Sequence, residues 1–186
     1  MAAAYQTGNA PLSRAEYDEL VRRGALEDAH VELLYGRIVS MSPIGKPHRY
    51  SVTRLAKLFI AALGDRAAVH VQSPFAAPDE SEPEPDVAIV APGDYLDEHP
   101  KTAWLIIEVA ESSLARDREK ARLYAAAAVP EYWIVNLIDG VVEVHRDPQG
   151  DRFGAITRHG RADVLRPVAI AGVEVAVTNV LPPEGG

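Results

Sequence analysis

The sequence predicts an α/β fold in which helices flank a mixed β-sheet and a β-hairpin region follows towards the C-terminus. Apolar runs of strand length alternate with helical patterns in the first two thirds of the chain, and the later runs are separated by short turns. With 186 residues and a hydrophobic content of 47%, the chain is large enough for one core. We therefore expect a single domain over residues 1–186, with flexible end segments at 1–11 and 182–186.

The first predicted elements are a short helix and a pair of strands. Ser13 and Glu16 have the spacing of a capping box, which predicts a helix that ends near Arg23. The stretch HVELLYGRIVSM then reads as two strands that meet at Tyr35-Gly36. This arrangement places Glu32 on the first strand.

A long helix and a strand follow. From Pro47 to Leu63 apolar residues recur at helical spacing, and Gly64 supplies a stop; the recurring residues are Val52, Leu55, Phe59 and Ala62. A strand is predicted from Val69 to Gln72. The proline-rich acidic stretch that comes next suits an irregular loop.

Two apolar strands each carry a carboxylate that needs an explanation. Asp86 immediately precedes the strand Val87 to Val90, and Glu108 lies within the strand Trp104 to Val109. A carboxylate removed from water is costly unless it is paired or coordinates a metal. If the two strands are neighbours, both carboxylates can hold one Mg²⁺ ion, with water and a phosphate oxygen as further ligands.

The next helix carries a lysine that could lie near the two carboxylates. In ARDREKARLYAAAA, helical spacing places Lys120 on one face with Leu123 and Tyr124, so we predict that the lysine points inward. An ammonium near the two carboxylates could stabilise charge at phosphorus or help to deprotonate a water. The stretch EYWIVNLIDGVVEVHRD then predicts a hairpin across Asp139-Gly140, with one or two more strands in the tail.

Composition excludes several classes of protein. The chain has no cysteine, so it has neither disulfides nor thiolate metal ligands. Its formal charge of −8 argues against a nonspecific basic nucleic-acid binder, although a metal ion and a local basic cluster can reverse the field at a site. No targeting segment or membrane-spanning run is visible, and we expect a cytoplasmic protein without membrane contact.

In combination these residues resemble the PD-(D/E)XK nuclease superfamily, and within it the Uma2 (DUF820) group of endonucleases. The resemblance covers roughly residues 13–146. It rests on the segments VELLYGRIVSMSP with His48 shortly after, EPDVAIV, LIIEVAESS and DREKARLYAAAAVPEYWIVN.

The resemblance implies a restriction-endonuclease-like fold and assigns roles to particular residues. Asp86 and Glu108 would be the acidic pair that binds Mg²⁺, or Mn²⁺ in its place, and the backbone carbonyl of Val109 would be a further metal ligand. Glu32 would be an upstream acidic member. The superfamily usually has a lysine where this chain has Ala110, and Lys120 on the next helix fits the position to which the Uma2 group has moved it.

Each residue taken alone also has an ordinary structural interpretation. Asp86 could simply form a turn before a strand, and Glu108 could pair with an arginine. Lys120 could cover apolar surface, Glu32 could lie outward on an edge strand, and His48 could be a surface residue at a helix start. Only the joint pattern indicates a site.

The joint pattern predicts an Mg²⁺-dependent endodeoxyribonuclease that hydrolyses phosphodiester bonds in DNA. The alternatives are a catalytically inactive nucleic-acid-binding or regulatory domain, and a phosphodiesterase that acts on small nucleotides. A homodimer is a further expectation, since cutting both strands of a duplex takes two sites and the hairpin from Tyr132 to Val144 could extend a sheet between two copies.

Overall fold

The structure is a computed structural model that describes residues 10–27 and 29–183. This part of the chain contains three α-helices, which are α1 (Arg14–Arg22), α2 (Lys46–Leu63) and α3 (Leu114–Ala126). Its ten strands are β1 (Val31–Leu34), β2 (Arg37–Ser40), β3 (Ala68–Val71), β4 (Val87–Val90), β5 (Leu105–Ala110), β6 (Glu131–Asn136), β7 (Val141–Gln149), β8 (Arg152–His159), β9 (Val164–Leu165) and β10 (Val175–Ala176). Short 3₁₀ turns lie at Gly64–Arg66 and Val177–Asn179.

Six of the strands form one central sheet in the order β3-β4-β5-β6-β7-β8. Strands β5 and β6 are parallel and α3 connects them, as a crossover requires, whereas the other neighbours are antiparallel. The pairs β1-β2 and β9-β10 form separate two-stranded sheets. The predicted mixed sheet with flanking helices and a later hairpin is therefore confirmed.

The sheet separates two apolar cores because side chains alternate between its faces. On one face, Ile107 and Trp133 pack with Leu55 and Phe59 of α2. On the other face, Ile106 and its strand neighbours pack with α3 and with the β1-β2 hairpin. Even-numbered positions of β5, including position 108, therefore face α3.

The N-terminal elements match the sequence patterns that predicted them. Ser13 caps α1, and both hydrogen bonds of the capping box with Glu16 are present. The β1-β2 turn has positive φ at Tyr35 (52°) and Gly36 (71°), as expected for a tight hairpin. Gly36 also accepts the backbone N–H of Leu12 at 2.8 Å, which ties the start of α1 to the hairpin.

Several details differ from the sequence predictions. Near the end of α2, Leu63 is buried and Ala62 is exposed. With 3.6 residues per turn, the position that faces the core shifts along an 18-residue helix. The hairpin strand β7 is not at an edge of the sheet, since β8 pairs along it, so the predicted sheet extension through Tyr132 to Val144 is wrong. The open edges belong to β3 and β8.

The ends of the chain are only partly described. Residues 1–9 and 184–186 of the segments predicted to be flexible lie outside the described residues. In the described portion, the Pro182 carbonyl accepts a hydrogen bond from Arg161 at 2.6 Å. Within residues 10–27 and 29–183, no helix combines the length and the hydropathy that crossing a membrane requires.

Replacing Gly36 tests whether the hairpin is held against the start of α1. A Cβ at position 36 would lie 2.5 Å from Cβ of Pro11, whereas a Cβ at Gly140 (φ 66°) would meet no atom within 4 Å. We expect Gly140→Ala to cost about 1–2 kcal/mol for the left-handed conformation. Gly36→Ala should cost a further 1–3 kcal/mol or so, because the added carbon overpacks the contact.

Urea unfolding of both alanine variants measures this difference. Equal destabilisation of the two variants would contradict the close contact between Pro11 and the hairpin turn.

Candidate active site

Strand register explains why two carboxylates meet at one end of the sheet. Val87 of β4 pairs with Ile107 of β5, and continuing this antiparallel register by one residue sets Asp86 opposite Glu108. On the other side of β4, Val71 pairs with Val87, which continues to Gln72 opposite Asp86. Directly opposite residues share a face, so both carboxylates lie on the face that α3 covers.

The side chain and the backbone N–H of Asp86 make four hydrogen bonds. Its Oδ2 accepts the backbone N–H of Val109 at 2.8 Å and lies 3.0 Å from Nε2 of His48. Its Oδ1 accepts from the amide of Gln72 at 3.3 Å, and its backbone N–H donates to Oε2 of Glu108 at 3.3 Å. The two acidic residues are therefore linked directly.

Lys120 of α3 is the cation of the site. Its Nζ lies 2.8 Å from Oε2 of Glu32 and 3.0 Å from Oε1 of Glu108. The hydroxyl of Tyr124, one helical turn later, donates to the same Glu108 oxygen at 2.9 Å. Lys120 is only 5% exposed and Tyr124 is fully buried, so this face of α3 points inward as its spacing predicts.

The β1-β2 hairpin delivers Glu32 from outside the central sheet. Backbone hydrogen bonds link Leu33 and Glu82 in both directions, at 3.3 and 2.7 Å, and hold β1 beside the segment that leads to β4. The backbone N–H of Glu84 donates to Oε2 of Glu32 at 3.3 Å. Glu32 is 1% exposed, so it is not the outward edge residue of the alternative interpretation.

The site holds more negative than positive charge. Four buried carboxylates surround one buried ammonium, and they belong to Glu32, Asp86, Glu108 and Asp117. Burial raises the pKa of Glu108 to about 8 although Lys120 opposes the shift, and burial raises the pKa of Asp117 to about 6. Burial disfavours the Lys120 ammonium, but Glu108, Glu32 and Asp117 outweigh it and the lysine pKa is raised.

These residues line a cleft that has room for a hydrated ion. The cavity volume is about 60 Å³, which exceeds the roughly 10–15 Å³ that one water molecule needs. Asp86 Oδ1 and Glu108 Oε2 each accept one hydrogen bond of 3.3 Å and retain lone pairs for a ligand. Mg²⁺ prefers carboxylate oxygens and water as ligands. The cleft offers both, so its residues fit this ion.

The structure brings Glu32, Asp86, Glu108 and Lys120 together, as the joint sequence pattern predicts. The backbone N–H of Val109 donates to Asp86. Because the N–H and C=O of one strand residue point to the same side, the Val109 carbonyl also points towards Asp86. Ala110 is fully buried on the face of Glu108.

Four contributions were not assigned from the sequence. His48 contacts Asp86, and this hydrogen bond and charge raise the histidine pKa although burial lowers it. Gln72, Asp117 and Tyr124 also belong to the site. Position on an inward helix face could have indicated Tyr124, whereas the role of Gln72 depends on strand pairing.

Comparisons with known proteins agree with this fold. The family model described as "Uma2: Putative restriction endonuclease" matches residues 14–178. A solved structure of "a putative nuclease belonging to DUF820" from Anabaena variabilis ATCC 29413 superposes with a TM-score of 0.71 at 12% identity, covering 91% of this chain and 97% of that one. No curated protein matches the chain.

Removing the lysine charge should destabilise the protein strongly. Lys120→Met keeps the volume of the side chain but leaves Glu32 and Glu108 buried without their shared cation. We expect a loss of roughly 3–5 kcal/mol, as for one partner removed from a buried ion pair. Chemical unfolding in chelator measures the change.

Lys101→Met is the matched control, because Lys101 pairs with Glu98 on the exposed surface. That variant should lose less than about 1 kcal/mol. Comparable losses in the two variants would show that the buried ammonium does not hold the carboxylates together.

Proposed function

Since the chain belongs to the Uma2 family, we propose that it is a metal-dependent endonuclease that hydrolyses phosphodiester bonds in DNA. The observation that carries the proposal is the convergence of buried carboxylates on a cleft whose resident cation is Lys120. The ends of β4 and β5, the β1-β2 hairpin and α3 each contribute a charged side chain. Together these side chains leave a negative charge that a divalent ion would neutralise.

Asp86 and Glu108 would hold the ion, together with the carbonyl of Val109, and Mn²⁺ would substitute for Mg²⁺. When bound, Mg²⁺ supplies charge stabilisation at the phosphate and favours an ionised attacking water. His48 contacts Oδ2 of Asp86 and Gln72 donates to its Oδ1, so the two residues orient this side chain. Such supporting hydrogen bonds orient metal ligands in many sites.

Lys120 acts in this proposal as a fixed positive charge. Its raised pKa means that the ammonium stays protonated near neutral pH, so it does not serve as the base that activates water. Its two short contacts position Glu108 and Glu32, and its charge adds to the stabilisation of a phosphate in the cleft.

The cleft can attract a phosphate backbone although the whole chain is acidic. Arg116 lines the cleft and donates to the Ser40 carbonyl at 2.7 Å, which fixes a guanidinium beside the carboxylates. By contrast, Arg118 and Arg122 pair with Glu143 and Asp151 respectively. The proposed DNA contact therefore includes Arg116 and excludes the other two arginines of α3.

A cleavage assay tests the proposal. We expect the purified protein to nick or cut plasmid DNA with Mg²⁺ or Mn²⁺ and to be inactive in chelator. Asp86→Asn, Glu108→Gln and Lys120→Met should each lower the rate by at least about 100-fold, because each removes a charge from the reacting centre. Glu119→Gln, next to Lys120 on the exposed face of α3, should retain activity.

A substrate series separates the alternatives. Duplex and single-stranded DNA of several lengths, RNA, and a small phosphodiester are compared at fixed Mg²⁺. Cleavage of the small diester alone would indicate a nucleotide phosphodiesterase. DNA binding without cleavage would indicate an inactive binding domain, and full activity of Glu108→Gln would remove the assigned site.

A homodimer is the second part of the proposal. Cutting both strands of a duplex takes two sites, and the exposed edge of β8 is available for a second copy. Light scattering should give about twice the chain mass of 20.1 kDa. A monomeric mass at the concentrations used for double-strand cleavage would contradict it.

A further inference from the structure

A second group of metal-ligating side chains lies on the α1 side of the β1-β2 hairpin. Glu82 forms an antiparallel bridge with Leu33, and directly opposite residues share a face. Leu33 packs with Tyr17 and Leu26 beneath α1, whereas Glu32, its neighbour on the strand, faces the cleft. Glu82 therefore points away from the active site.

Asp18 and His99 converge on Glu82 from two other elements. One ligand atom from each of the three residues lies within 4.8 Å of the others. Asp18 is on α1, and His99 is on the loop between β4 and β5. The Glu82 Oε1 to His99 Nε2 distance is 3.8 Å. Ligand atoms about 2.1 Å from a tetrahedral ion lie about 3.4 Å apart, so a small closure of the exposed Asp18 and His99 would complete a site.

One oxygen of the buried Glu82 carboxylate lacks a hydrogen-bond partner. The Glu82 side chain is 4% exposed, and Oε2 accepts no hydrogen bond. The nearest cationic atom to Oε2 is Nε of Arg14 at 3.9 Å, which is beyond hydrogen-bond distance. Burial, with the charge of Asp18 next, raises the pKa of Glu82 to about 7.

Arg14 does not neutralise this group of charges. Its Nη2 donates to the carbonyls of Ala77 and Ser81, so the guanidinium is held by the backbone. Its own backbone N–H donates to Glu80 at 2.6 Å. Three carboxyl groups, from Asp18, Glu80 and Glu82, thus lie near one guanidinium, and neither Nε of Arg14 nor Oε2 of Glu82 has a hydrogen-bond partner.

We propose that Asp18, Glu82 and His99 bind a divalent transition-metal ion of the Zn²⁺ and Co²⁺ class at a second site. The imidazole ligand favours these ions over Mg²⁺, which prefers oxygen ligands throughout. Water would complete the coordination. The site is separate from the cleft in position and in the metal that it selects.

The ion would fasten the elements that carry the active site. It joins α1 to the loop after β4 and to the segment that leads to β4. That segment continues to Asp86, and its bridge partner Leu33 adjoins Glu32. The second site therefore has a structural role, because it fixes the hairpin and β4 relative to each other.

Titration with Co²⁺ in excess Mg²⁺ tests the second site. The visible absorption of Co²⁺ reports coordination, and calorimetry with Zn²⁺ gives the stoichiometry. We expect one equivalent in the wild type and in the Asp86→Asn/Glu108→Gln double variant. Glu82→Gln, His99→Ala and Asp18→Asn should each weaken binding by at least about tenfold, since even outer-shell changes cost about that much.

Glu98→Gln is the matched control, because this exposed neighbour of His99 pairs only with Lys101 among the described residues. It should bind Co²⁺ as the wild type does. Asp18 and His99 are exposed, so their variants test the site even if Glu82→Gln fails to fold.

Three outcomes would overturn the proposal. The first is that the wild type binds no Co²⁺. The second is that Asp86→Asn/Glu108→Gln no longer binds one equivalent of Co²⁺. The third is that Glu82→Gln still binds Co²⁺ whereas His99→Ala does not, which would indicate a lone surface histidine. None of these results depends on nuclease activity.

Discussion

The ion pair network around Lys120 is the interaction on which the rest of the site depends. Two glutamates that come from separate sheets share one ammonium at 2.8 and 3.0 Å, and all three side chains are buried. Burying these charges separately would be costly, and their mutual contacts offset the cost only while all three are present. Helix α3, the β1-β2 hairpin and the central sheet are therefore tied together at one point.

The sheet register turns two distant sequence segments into one centre. Asp86 and Glu108 are 22 positions apart, yet antiparallel pairing of β4 and β5 sets them opposite each other. The parallel pairing of β5 and β6 requires a crossover, and that crossover is α3. The crossover that parallel strands need thus brings Lys120 over the carboxylates.

The balance of charge differs between the two sides of the hairpin. On the cleft side, Lys120 satisfies Glu32 and Glu108 directly, and a surplus of buried carboxylate remains. On the α1 side, the guanidinium of Arg14 lies 3.9 Å from Glu82, and the imidazole of His99 lies 3.8 Å from it. One strand, β1, separates these environments because adjacent residues point to opposite faces.

The sequence by itself determined most of the local structure and four residues of the site, which are Glu32, Asp86, Glu108 and Lys120. Capping at Ser13, the apolar stripe of α2 and the turn at Gly36 are local signals, and they are visible because they depend on residues close together in the chain. Near the end of α2 the periodicity is less accurate, since it places Ala62 on the apolar stripe and the structure exposes that residue. Glu108 was identifiable because a charge stands out in an apolar strand.

Only the tertiary structure decided what each of these residues touches. Strand order and register, which arise from long-range pairing, place Gln72 beside Asp86 and make β8 rather than the hairpin the open edge. The packing of α2 against the sheet places His48 at hydrogen-bond distance from Asp86, and the fold leaves Oε2 of Glu82 without a hydrogen bond. No local propensity encodes such contacts, because they depend on how separate elements pack and not on the residues that flank each one.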